Sequence, residues 1–269
     1  MLLSIVIQCS AKETCSLRSA SGRGLHGFWF KQLHAIDAPL AERLHDDVQR
    51  QPFTLSPLMD LPLPYKNSTV IQRGQKTWFR VCSLTEELST FLLEKWVNSL
   101  PDEINIADTN WRVEGVAFSP DQHAWARTSS YSDLLKVAYD LSDLYPVWHF
   151  HFATPVTFHR SVGHFPFPLP DALVKSWLQR WQRFSSIQKN LEFSEEAKTG
   201  IAINAYELKT VPFSYGSRTL IGAVGEFSLR ALHLSPEEKS IFHTLAHYSF
   251  YCGSGSKTTQ GMGQTKVEI

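Results

Sequence analysis

Several features that would place this chain outside a reducing cell interior are missing from its sequence. The four cysteines, Cys9, Cys15, Cys82 and Cys252, show no C-x-x-C spacing, which argues against a thiol-redox motif or a zinc ribbon. No apolar run reaches the roughly 18 residues that a transmembrane helix needs. The start of the chain lacks the basic segment of a secretion signal, and we expect it to form a strand. These absences predict a cytoplasmic protein with reduced cysteines.

The chain also lacks an excess of charge of either sign. Lys plus Arg number 26 and Asp plus Glu number 26 among 269 residues. A net charge of zero argues against nucleic-acid binding through a global field, so any nucleic-acid site must be a local patch. Because 43% of the residues are hydrophobic and 19% are charged, we expect a folded chain with a sizeable core.

Metal-binding patterns are sparse as well. His243 and His247 lie four residues apart on a predicted helix, but no glutamate follows His243, so the H-E-x-x-H pattern is absent. We interpret these two histidines as residues of a helix face. The sequence predicts no metal site and no cofactor.

Hydrophobic periodicity predicts a unit of order β-α-β-β-α-β in the first half of the chain. We take Gly22-Arg23-Gly24 as a break before the first helix, and Asp37 as the cap of a second, short helix that reaches about residue 50. Arg73-Gly74-Gln75 separates two strands that we expect to pair as a hairpin. The predicted elements are strand 2–9, helix 25–36, the short helix, strand 53–58, the hairpin strands 70–73 and 77–82, a helix from residue 85 and strand 111–118.

The same order repeats in the second half. Its helix over 170–184 stacks Trp177 and Trp181 on one face, and these residues are predicted to be core rather than base-stacking. Ser235-Pro236-Glu237-Glu238 is a capping box that starts the last helix. The predicted elements are helix 131–141, strand 147–153, helix 170–184, strands 201–208 and 219–229, a helix to about residue 250 and strand 265–269.

These patterns predict an α+β chain of two tandem ferredoxin-like domains, each βαββαβ and RRM-like. The predicted limits are an N-terminal domain over 1–120, a linker with a helix over 121–146, and a C-terminal domain over 147–269. The alternative is a single large mixed α+β domain.

The most specific motif is a glycine-rich loop between the last predicted helix and the last strand. It consists of Gly253-Ser254-Gly255 and Gly261-Met262-Gly263, with Lys257 between them. Glycines adopt positive φ easily, so amide groups of such a loop can turn inward towards an anion, and a lysine suits phosphate. Two other interpretations are a flexible linker and a nucleotide P-loop. The P-loop requires a glycine where Ser256 stands, and the opposite order of strand and helix.

This fold order, ending in G-x-G-x5-G-x-G, resembles the CRISPR-associated repeat-processing endoribonucleases, the sixth Cas family. Two further segments support the resemblance: 44–46 (Leu-His-Asp) followed by 52–58 (Pro-Phe-Thr-Leu-Ser-Pro-Leu), and 153–158 (Ala-Thr-Pro-Val-Thr-Phe). The resemblance implies an enzyme that binds the repeat stem-loop of precursor crRNA and cuts at the 3′ base of the stem without a metal. The implied products carry a 2′,3′-cyclic phosphate and a 5′-hydroxyl.

The resemblance also implies partners. The repeat RNA hairpin is one, and many members keep the product RNA and join an antiviral interference complex. One alternative is a non-catalytic RNA-binding subunit of such a complex. A third interpretation is an unrelated α+β interaction protein with a chance glycine loop.

Cleavage without a metal needs groups that transfer protons, and histidine suits this task near neutral pH. His45 matches the family's catalytic histidine, which follows the first helix and precedes the Phe-Thr strand. His34, on the first helix, is the second candidate, and His26, at the start of that helix, is the third. The structural alternatives are a polar helix face for His34 and a helix C-terminus for His45.

The remaining candidates are expected to contact RNA. Phe30 stands where some family members have a tyrosine, and it cannot donate a hydrogen bond. Arg50 lies near the place of the family's lysine and suits phosphorane charge, but it would be a poor general base. Arg218 is expected either at the base of the RNA stem or in a surface salt bridge. The implied RNA-binding residues are Gly253, Gly255, Lys257, Gly261, Gly263, Arg218 and Arg50.

Overall fold

The structure is a computed structural model that describes residues 1–18, 21–46, 51–61, 68–141, 147–161, 163–187, 191–215 and 218–268. The chain divides into two compact units. The first comprises Met1–Thr128 and Thr259–Gly261, and the second comprises Ser129–Thr258 and Met262–Ile269. All four cysteines are free thiols. Within the described part of the chain, no helix has the length and apolar character needed to cross a membrane.

The first unit is built on an antiparallel sheet of order β3-β5-β1-β7-β6, and β8 also pairs with β1. Its strands are β1 (Leu2–Ala11), β2 (Cys15–Arg18), β3 (Phe53–Leu55), β4 (Ser68–Ile71), β5 (Lys76–Ser83), β6 (Glu103–Ile106), β7 (Thr109–Ala117) and β8 (Arg127–Ser129). Its helices are α1 (Gly22–Ile36), α2 (Ala38–Asp46) and α3 (Glu86–Phe91), and α3 continues as a π-helical turn over Leu92–Trp96 and a 3-10 turn over Val97–Ser99.

β1 is apolar along most of its length because both of its faces are covered. Ile5 and Ile7 belong to the large core that also contains Leu25, Trp29 and Leu33 of α1. On the other face, Val6 packs in a smaller cluster with Trp78 and Ala117. Side chains alternate along a strand, so one apolar run serves both clusters. The large core fixes α1 against the sheet and thereby fixes the positions of its histidines.

The predicted hairpin around Gly74 is wrong in its pairing. A turn does form, with Gly74 at φ 78° and the Gln75 N–H donating to Gln72 O at 3.0 Å. β5, however, is already paired on one edge with β1 and on the other with β3. β4 therefore pairs with β2, a short strand that the sequence did not predict.

The predicted break at Gly22-Arg23-Gly24 is also wrong, since these residues form the first turn of α1. A Cβ on Gly22 would lie 2.2 Å from Gln260 O, and a Cβ on Gly24 would lie 2.8 Å from Ala107 N. The two glycines therefore allow the start of the helix to approach neighbouring backbone closely. They do not end regular structure.

α2 begins as predicted. Asp37 Oδ1 accepts the Leu40 N–H at 3.1 Å, and this hydrogen bond is the main cause that lowers the pKa of the Asp37 carboxyl. Pro39 lies in the first turn, where its missing N–H has no helical partner to lose. The part of the predicted helix over residues 47–50 lies outside the described residues.

The second unit has a sheet of order β12-β13-β9-β14, and all of its pairs are antiparallel. Its strands are β9 (Val147–Val156), β10 (Phe158–Arg160), β11 (Gly163–Phe165), β12 (Ile201–Tyr215), β13 (Arg218–Ala231) and β14 (Thr265–Glu268). Its helices are α4 (Tyr131–Leu141), α5 (Pro170–Phe184), α6 (Glu195–Thr199) and α7 (Pro236–Cys252), and a 3-10 turn follows at Thr258–Gln260.

The core of the second unit is aromatic. Trp177 and Trp181 of α5 are fully buried, as predicted. The ring of Trp177 stacks on Phe150 of β9 at 5.6 Å, and Trp181 meets Tyr248 of α7 edge-on at 5.3 Å. The predicted capping box is present, since Ser235 and Glu238 each accept from the other's backbone N–H. This packing fixes the end of α7, from which the glycine loop departs.

The strands β12 and β13 form a ribbon that extends past the rest of their sheet. β13 pairs with β9 only from Ala223 to Arg230, whereas β12 and β13 remain paired out to Tyr215 and Arg218. β12 is the edge strand, and Pro212 lies within the ribbon opposite Ile221.

The two sheets share one topology. In the first unit, β1 lies between β5 and β7, and β3 pairs with the other edge of β5. In the second unit, β9 lies between β13 and β14, and β12 pairs with the other edge of β13. This is the ferredoxin-like arrangement predicted from the sequence. The chain is thus an α+β protein with two ferredoxin-like domains, while the linker limits of 121–146 stay a prediction.

Candidate active site

His45 lies in the last turn of α2 with an exposed side chain. Its neighbour Leu44 is buried in the core and anchors this turn. The carbonyl of Leu44, which has no helical partner at the helix end, accepts a hydrogen bond from Gln51 Nε2 at 3.0 Å. The end of α2 is therefore held in place while the imidazole faces outward.

An aromatic ring lies between His45 and a second histidine. The Phe30 ring meets His45 edge-on at a centroid distance of 5.5 Å, and it meets His26 at 4.9 Å. His26 and Phe30 lie four residues apart on α1, which places them on one helix face. Phe53, buried on β3, lies under this group at 6.4 Å from His26 and 6.0 Å from Phe30. We call His26, Phe30, His45 and Phe53 the ring cluster.

His26 is held by a hydrogen bond to the backbone as well as by contacts with aromatic rings. Its Nδ1 lies 2.9 Å from the carbonyl oxygen of Thr259, a residue of the segment that belongs to the first unit. A carbonyl oxygen can only accept, so Nδ1 carries the hydrogen and donates it. In the neutral ring the lone pair is then on Nε2, which fixes the tautomer that can take a proton.

The other first-unit candidates are less constrained. His34 is exposed in the last turn of α1 and makes no side-chain hydrogen bond or ring contact with the described residues. It shares a helix face with Phe30 but does not join the ring cluster. Arg50 lies outside the described residues. Arg218 is the first residue of β13 and pairs with Tyr215 of β12.

The glycine loop has a backbone that only glycine tolerates well. All four glycines have positive φ: 68° at Gly253, 74° at Gly255, 98° at Gly261 and 79° at Gly263. Gly255 shows the steric reason, because a Cβ there would lie 2.4 Å from the carbonyl oxygen of Thr157. Lys257 also has φ 58°, an uncommon value for a residue with a side chain.

The amide groups predicted to face an anion are used inside the second unit instead. The donors and acceptors are Ser254 N–H to Gly263 O (2.9 Å), Gly255 N–H to Ser176 Oγ (3.0 Å), Ser256 N–H to Thr157 O (2.9 Å) and Gly263 N–H to Pro155 O (3.0 Å). The glycine pattern therefore encodes close packing of this loop on β9 and α5. An interaction of the loop with a phosphate depends more on Lys257 than on these amides.

Two residues of α5 that sequence reasoning did not connect with the loop hold it in place. Arg180 donates to Cys252 O, to Thr258 Oγ1 (2.7 Å) and to Gly255 O (3.4 Å). Trp177 Nε1 donates to Ser254 Oγ at 2.9 Å. The helical spacing from Trp177 to Arg180 places both side chains on one face, and this spacing was the available signal.

Of the two histidines of α7, His243 is part of the packed core. His243 is buried, and its Nδ1 accepts the Trp148 Nε1–H at 3.1 Å. Burial lowers the pKa of His243 to about 4, so the ring is neutral. No group of three or more histidine, cysteine, aspartate or glutamate side chains able to hold a metal occurs among the described residues.

Two family models together match most of the chain. The model of the CRISPR Cas6 N-terminal domain matches residues 1–136, and the model of the CRISPR-associated endoribonuclease Cas6 matches residues 150–265. The chain belongs to the Cas6 family. It is therefore an endoribonuclease of the CRISPR system by family.

Solved Cas6 structures share the fold. A Thermus thermophilus Cas6, solved as a product complex, is 23% identical, with a TM-score of 0.78 and 100% of both chains covered. A second Cas6 product complex gives the same identity and TM-score, with 100% of this chain and 99% of that one covered. A Cas6-related protein from Pyrococcus furiosus is 14% identical, with a TM-score of 0.66 and coverage of 100% and 99%. No curated protein sequence matches the chain.

Membership in the Cas6 family gives the ring cluster a context. Phe30, which the sequence resemblance places where some members have a tyrosine, packs its ring against two imidazoles. A phenylalanine cannot transfer a proton, so any second acid or base in this cluster must be another side chain. His26 is the other titratable side chain whose ring contacts Phe30.

Proposed function

We propose that this Cas6-family chain binds the stem-loop of a CRISPR repeat and cuts it at the 3′ base of the stem without a metal ion. The products carry a 2′,3′-cyclic phosphate and a 5′-hydroxyl. The observation that carries the proposal is the pair of imidazoles, His26 and His45, on one aromatic ring of the first unit. Two groups of suitable pKa range close together are what 2′-hydroxyl attack requires.

The proposed step is an internal displacement. The 2′-oxygen upstream of the cut attacks the adjacent phosphorus, the new O2′–P bond forms, and the P–O5′ bond breaks. One imidazole takes the proton of the 2′-hydroxyl, and a protonated imidazole gives a proton to the departing 5′-oxygen. No metal or oxidant is needed to balance this reaction.

His45 is the first choice for one of these roles, and His26 is preferred to His34 for the other. The preference rests on contacts. His26 is half-buried, packed on Phe30 and Phe53 and bonded to Thr259 O, so its ring has one orientation. His34 is exposed, and its many rotamers would have to be ordered by the substrate.

RNA binding is proposed for the cations and the glycine loop. Lys257 offers a charge to a phosphate from within the loop. Arg218, at the start of β13, and Arg50 offer guanidinium groups, which can bind a phosphate through two hydrogen bonds at once. Gly253, Gly255, Gly261 and Gly263 shape the loop that presents Lys257. We also propose that the protein acts in the cytoplasm.

The direct experiment is incubation of a labelled repeat stem-loop with the protein in EDTA. Wild type is expected to cut, and a 2′-deoxy substitution just upstream of the cut is expected to abolish cleavage. His45→Ala and His26→Ala should each slow cleavage under single-turnover conditions by about 10²- to 10⁴-fold. If His34→Ala is inactive and His26→Ala is active, the assignment of the second imidazole is wrong while the function stands.

A modified substrate separates the acid from the base. With sulfur in place of the departing 5′-oxygen, the leaving group no longer needs a proton. The variant that lacks the general acid should regain activity on this substrate, whereas the variant that lacks the general base should not. A variant that has lost only local structure is not rescued, so this test separates catalysis from packing.

A second candidate is a non-catalytic RNA-binding subunit of an interference complex. Phe30, in place of a tyrosine, favours it because one proton-transfer group of some family members is missing. It predicts tight stem-loop binding with no cut, and no effect of His45→Ala. Other subunits that copurify with the protein would fit either candidate.

A further inference from the structure

A small hairpin of the second unit has no role in the site described above. β10 and β11 pair over Phe158–Phe165, His159–His164 and Arg160–Gly163. Because side chains alternate, His159 and His164 share one face, and Phe158, Phe165 and Arg160 share the other. Phe158 is buried and anchors the hairpin to the unit. The two faces therefore present different chemistry on one rigid element.

One face continues into a row of aromatic rings. Phe165 meets Phe167 at 6.5 Å, and Phe167 meets Tyr206 of β12 edge-on at 5.6 Å. Phe165 is 37% exposed and Tyr206 is 63% exposed. Both side chains belong to the exposed large apolar side chains of the described residues, and both lie in this row. We call Phe165, Phe167 and Tyr206 the aromatic row.

Cations accompany the row. The guanidinium of Arg160 lies over the Phe165 ring at 5.5 Å and is oriented by Asp171 at 2.8 Å. On the other face, the rings of His159 and His164 lie 5.4 Å apart and are tilted by 50° to each other. Burial, then His159 and Lys257, lower the pKa of His164, so Lys257 of the glycine loop is close enough to repel it. The hairpin thus connects the glycine loop to the aromatic row.

The size of the exposed aromatic surface indicates which kind of ligand the row can bind. Each aromatic ring offers at most about 150–250 Å², and three half-exposed rings fall well short of the roughly 800 Å² per partner of a specific protein interface. Exposed aromatic rings beside the Arg160 guanidinium match unpaired RNA, whose bases stack on aromatics while its phosphates contact cations. A double-stranded stem cannot use such rings, because its bases are already stacked on each other.

We propose that the aromatic row and Arg160 bind the unpaired RNA adjoining the repeat stem, by stacking its bases on Tyr206 and Phe165. This inference rests on the proposed function, since it presupposes a bound repeat. It adds a second subsite that affects affinity and positioning of the flank. It takes no part in bond cleavage.

The test compares three RNAs by fluorescence anisotropy: the stem-loop alone, and the stem-loop extended by unpaired nucleotides on its 5′ or its 3′ side. Wild type should bind at least one extended RNA more tightly than the stem-loop. Tyr206→Ala and Phe165→Ala should each reduce this gain by about 5- to 100-fold, while affinity for the stem-loop alone stays unchanged. Tyr206→Phe keeps the ring and should keep the gain.

Abasic nucleotides in the extension sharpen the test. Removing the bases should cost affinity in wild type and nothing further in the Tyr206→Ala/Phe165→Ala double variant, because both changes delete the same stacking. Leu232→Ala, an exposed apolar residue of the same unit that is 53% exposed and outside the row, is the matched control and should bind like wild type.

The proposal is overturned if neither extension tightens binding or if Tyr206→Ala retains the full gain. It is also overturned if Tyr206→Ala weakens binding of the bare stem-loop as much as it weakens binding of the extended RNA. A row that instead binds a protein subunit gives the second of these outcomes. Cleavage of the bare stem-loop is scored in the same samples. Its absence in wild type would count against the proposed function, independently of the flank measurement.

Discussion

The two ferredoxin-like units share one strand order, but the histidines on their helices lie in different environments. In the first unit, His45 is exposed and His26 is half-buried, and both touch the ring of Phe30. In the second unit, His243 is buried against Trp148 and is neutral. An imidazole can exchange protons with a substrate only where the substrate reaches it. The shared topology therefore does not determine chemistry, which depends on which helix ends remain accessible.

The helices differ in the same way. α1 and α2 bury one face each and leave polar side chains along the other. The last helix of the second unit, α7, is buried over most of its final three turns. The last helix of the second unit thus packs into an aromatic core and supports the glycine loop, whereas the helices of the first unit leave His34 and His45 exposed.

The largest effect expected from this difference is on catalysis. His45→Ala should lower the single-turnover rate by about 10²- to 10⁴-fold, because it removes a proton-transfer group of the first unit. His233→Ala removes an exposed histidine of the second unit and should leave the rate unchanged. The measurement uses labelled stem-loop with protein in excess. Equal losses in the two variants would erase the distinction between the units.

The next largest effect is on stability, and it distinguishes a tryptophan that only fills the core from one that also holds the glycine loop. Trp177→Ala and Trp111→Ala each remove a fully buried tryptophan, and each should lower the free energy of unfolding by about 3–5 kcal/mol. Only Trp177 also bonds to the glycine loop, at Ser254. Stem-loop affinity under native conditions should therefore fall for Trp177→Ala alone. Similar RNA affinities in the two folded variants would show that the loop needs no support from α5.

A smaller effect is expected from glycine substitutions. Gly255→Ala should destabilise the protein by about 1–3 kcal/mol, since φ is 74° and the new Cβ would lie 2.4 Å from Thr157 O. Gly27→Ala is the matched control on an exposed position of α1 with nothing within 4 Å. It should stabilise by about 0.5–1 kcal/mol. Thermal unfolding measures both, and a stable Gly255→Ala variant would contradict the packing described for the loop.

The smallest effect expected near neutral pH is the contribution of His243 to stability, because it appears only in acid. The pKa of His243 is lowered by burial from 6.5 to about 4. The unfolded chain then binds a proton that the folded chain does not, so stability falls as the pH drops from about 6.5 towards 4 and is unaffected by this group above that range. His243→Gln should flatten this slope, and His34→Gln, on the exposed face of α1, should not. Urea unfolding at several pH values measures this dependence. Identical slopes of unfolding free energy against pH in wild type and His243→Gln would contradict a buried neutral ring.

Much of the fold could be predicted because local signals were strong. α4 and α5 have the predicted limits, since their apolar periodicity is regular and Pro170 marks the first turn of α5. The β6–β7 hairpin was missed because its turn residues, Ala107 (φ 52°) and Asp108 (φ 61°), adopt a left-handed conformation without a glycine to signal it. β2 was missed because it is four residues long and is stabilised only by pairing with β4.

The candidate site could be predicted only in part, because its contacts are distant in sequence. His45 follows from a local motif after α1. The bond between His26 and Thr259 joins residues 233 positions apart, and no periodicity reports such a contact. The role of Arg180 in holding the loop was hidden for the same reason. The preference for His26 over His34 in the proposed mechanism rests on tertiary contacts and not on local pattern.

The ribbon of β12 and β13 has a consequence for how copies of the protein behave together. An edge strand that reaches beyond its sheet offers backbone donors and acceptors to an identical strand of a neighbouring molecule, which is a route to aggregation. Pro212 interrupts this series of backbone donors and acceptors, because a proline inside a paired edge strand turns its nitrogen outward and has no hydrogen to donate. Exposed Glu207 and Lys209 add charge to the same strand. The long ribbon is thereby protected against self-association at the edge where it would otherwise be most vulnerable.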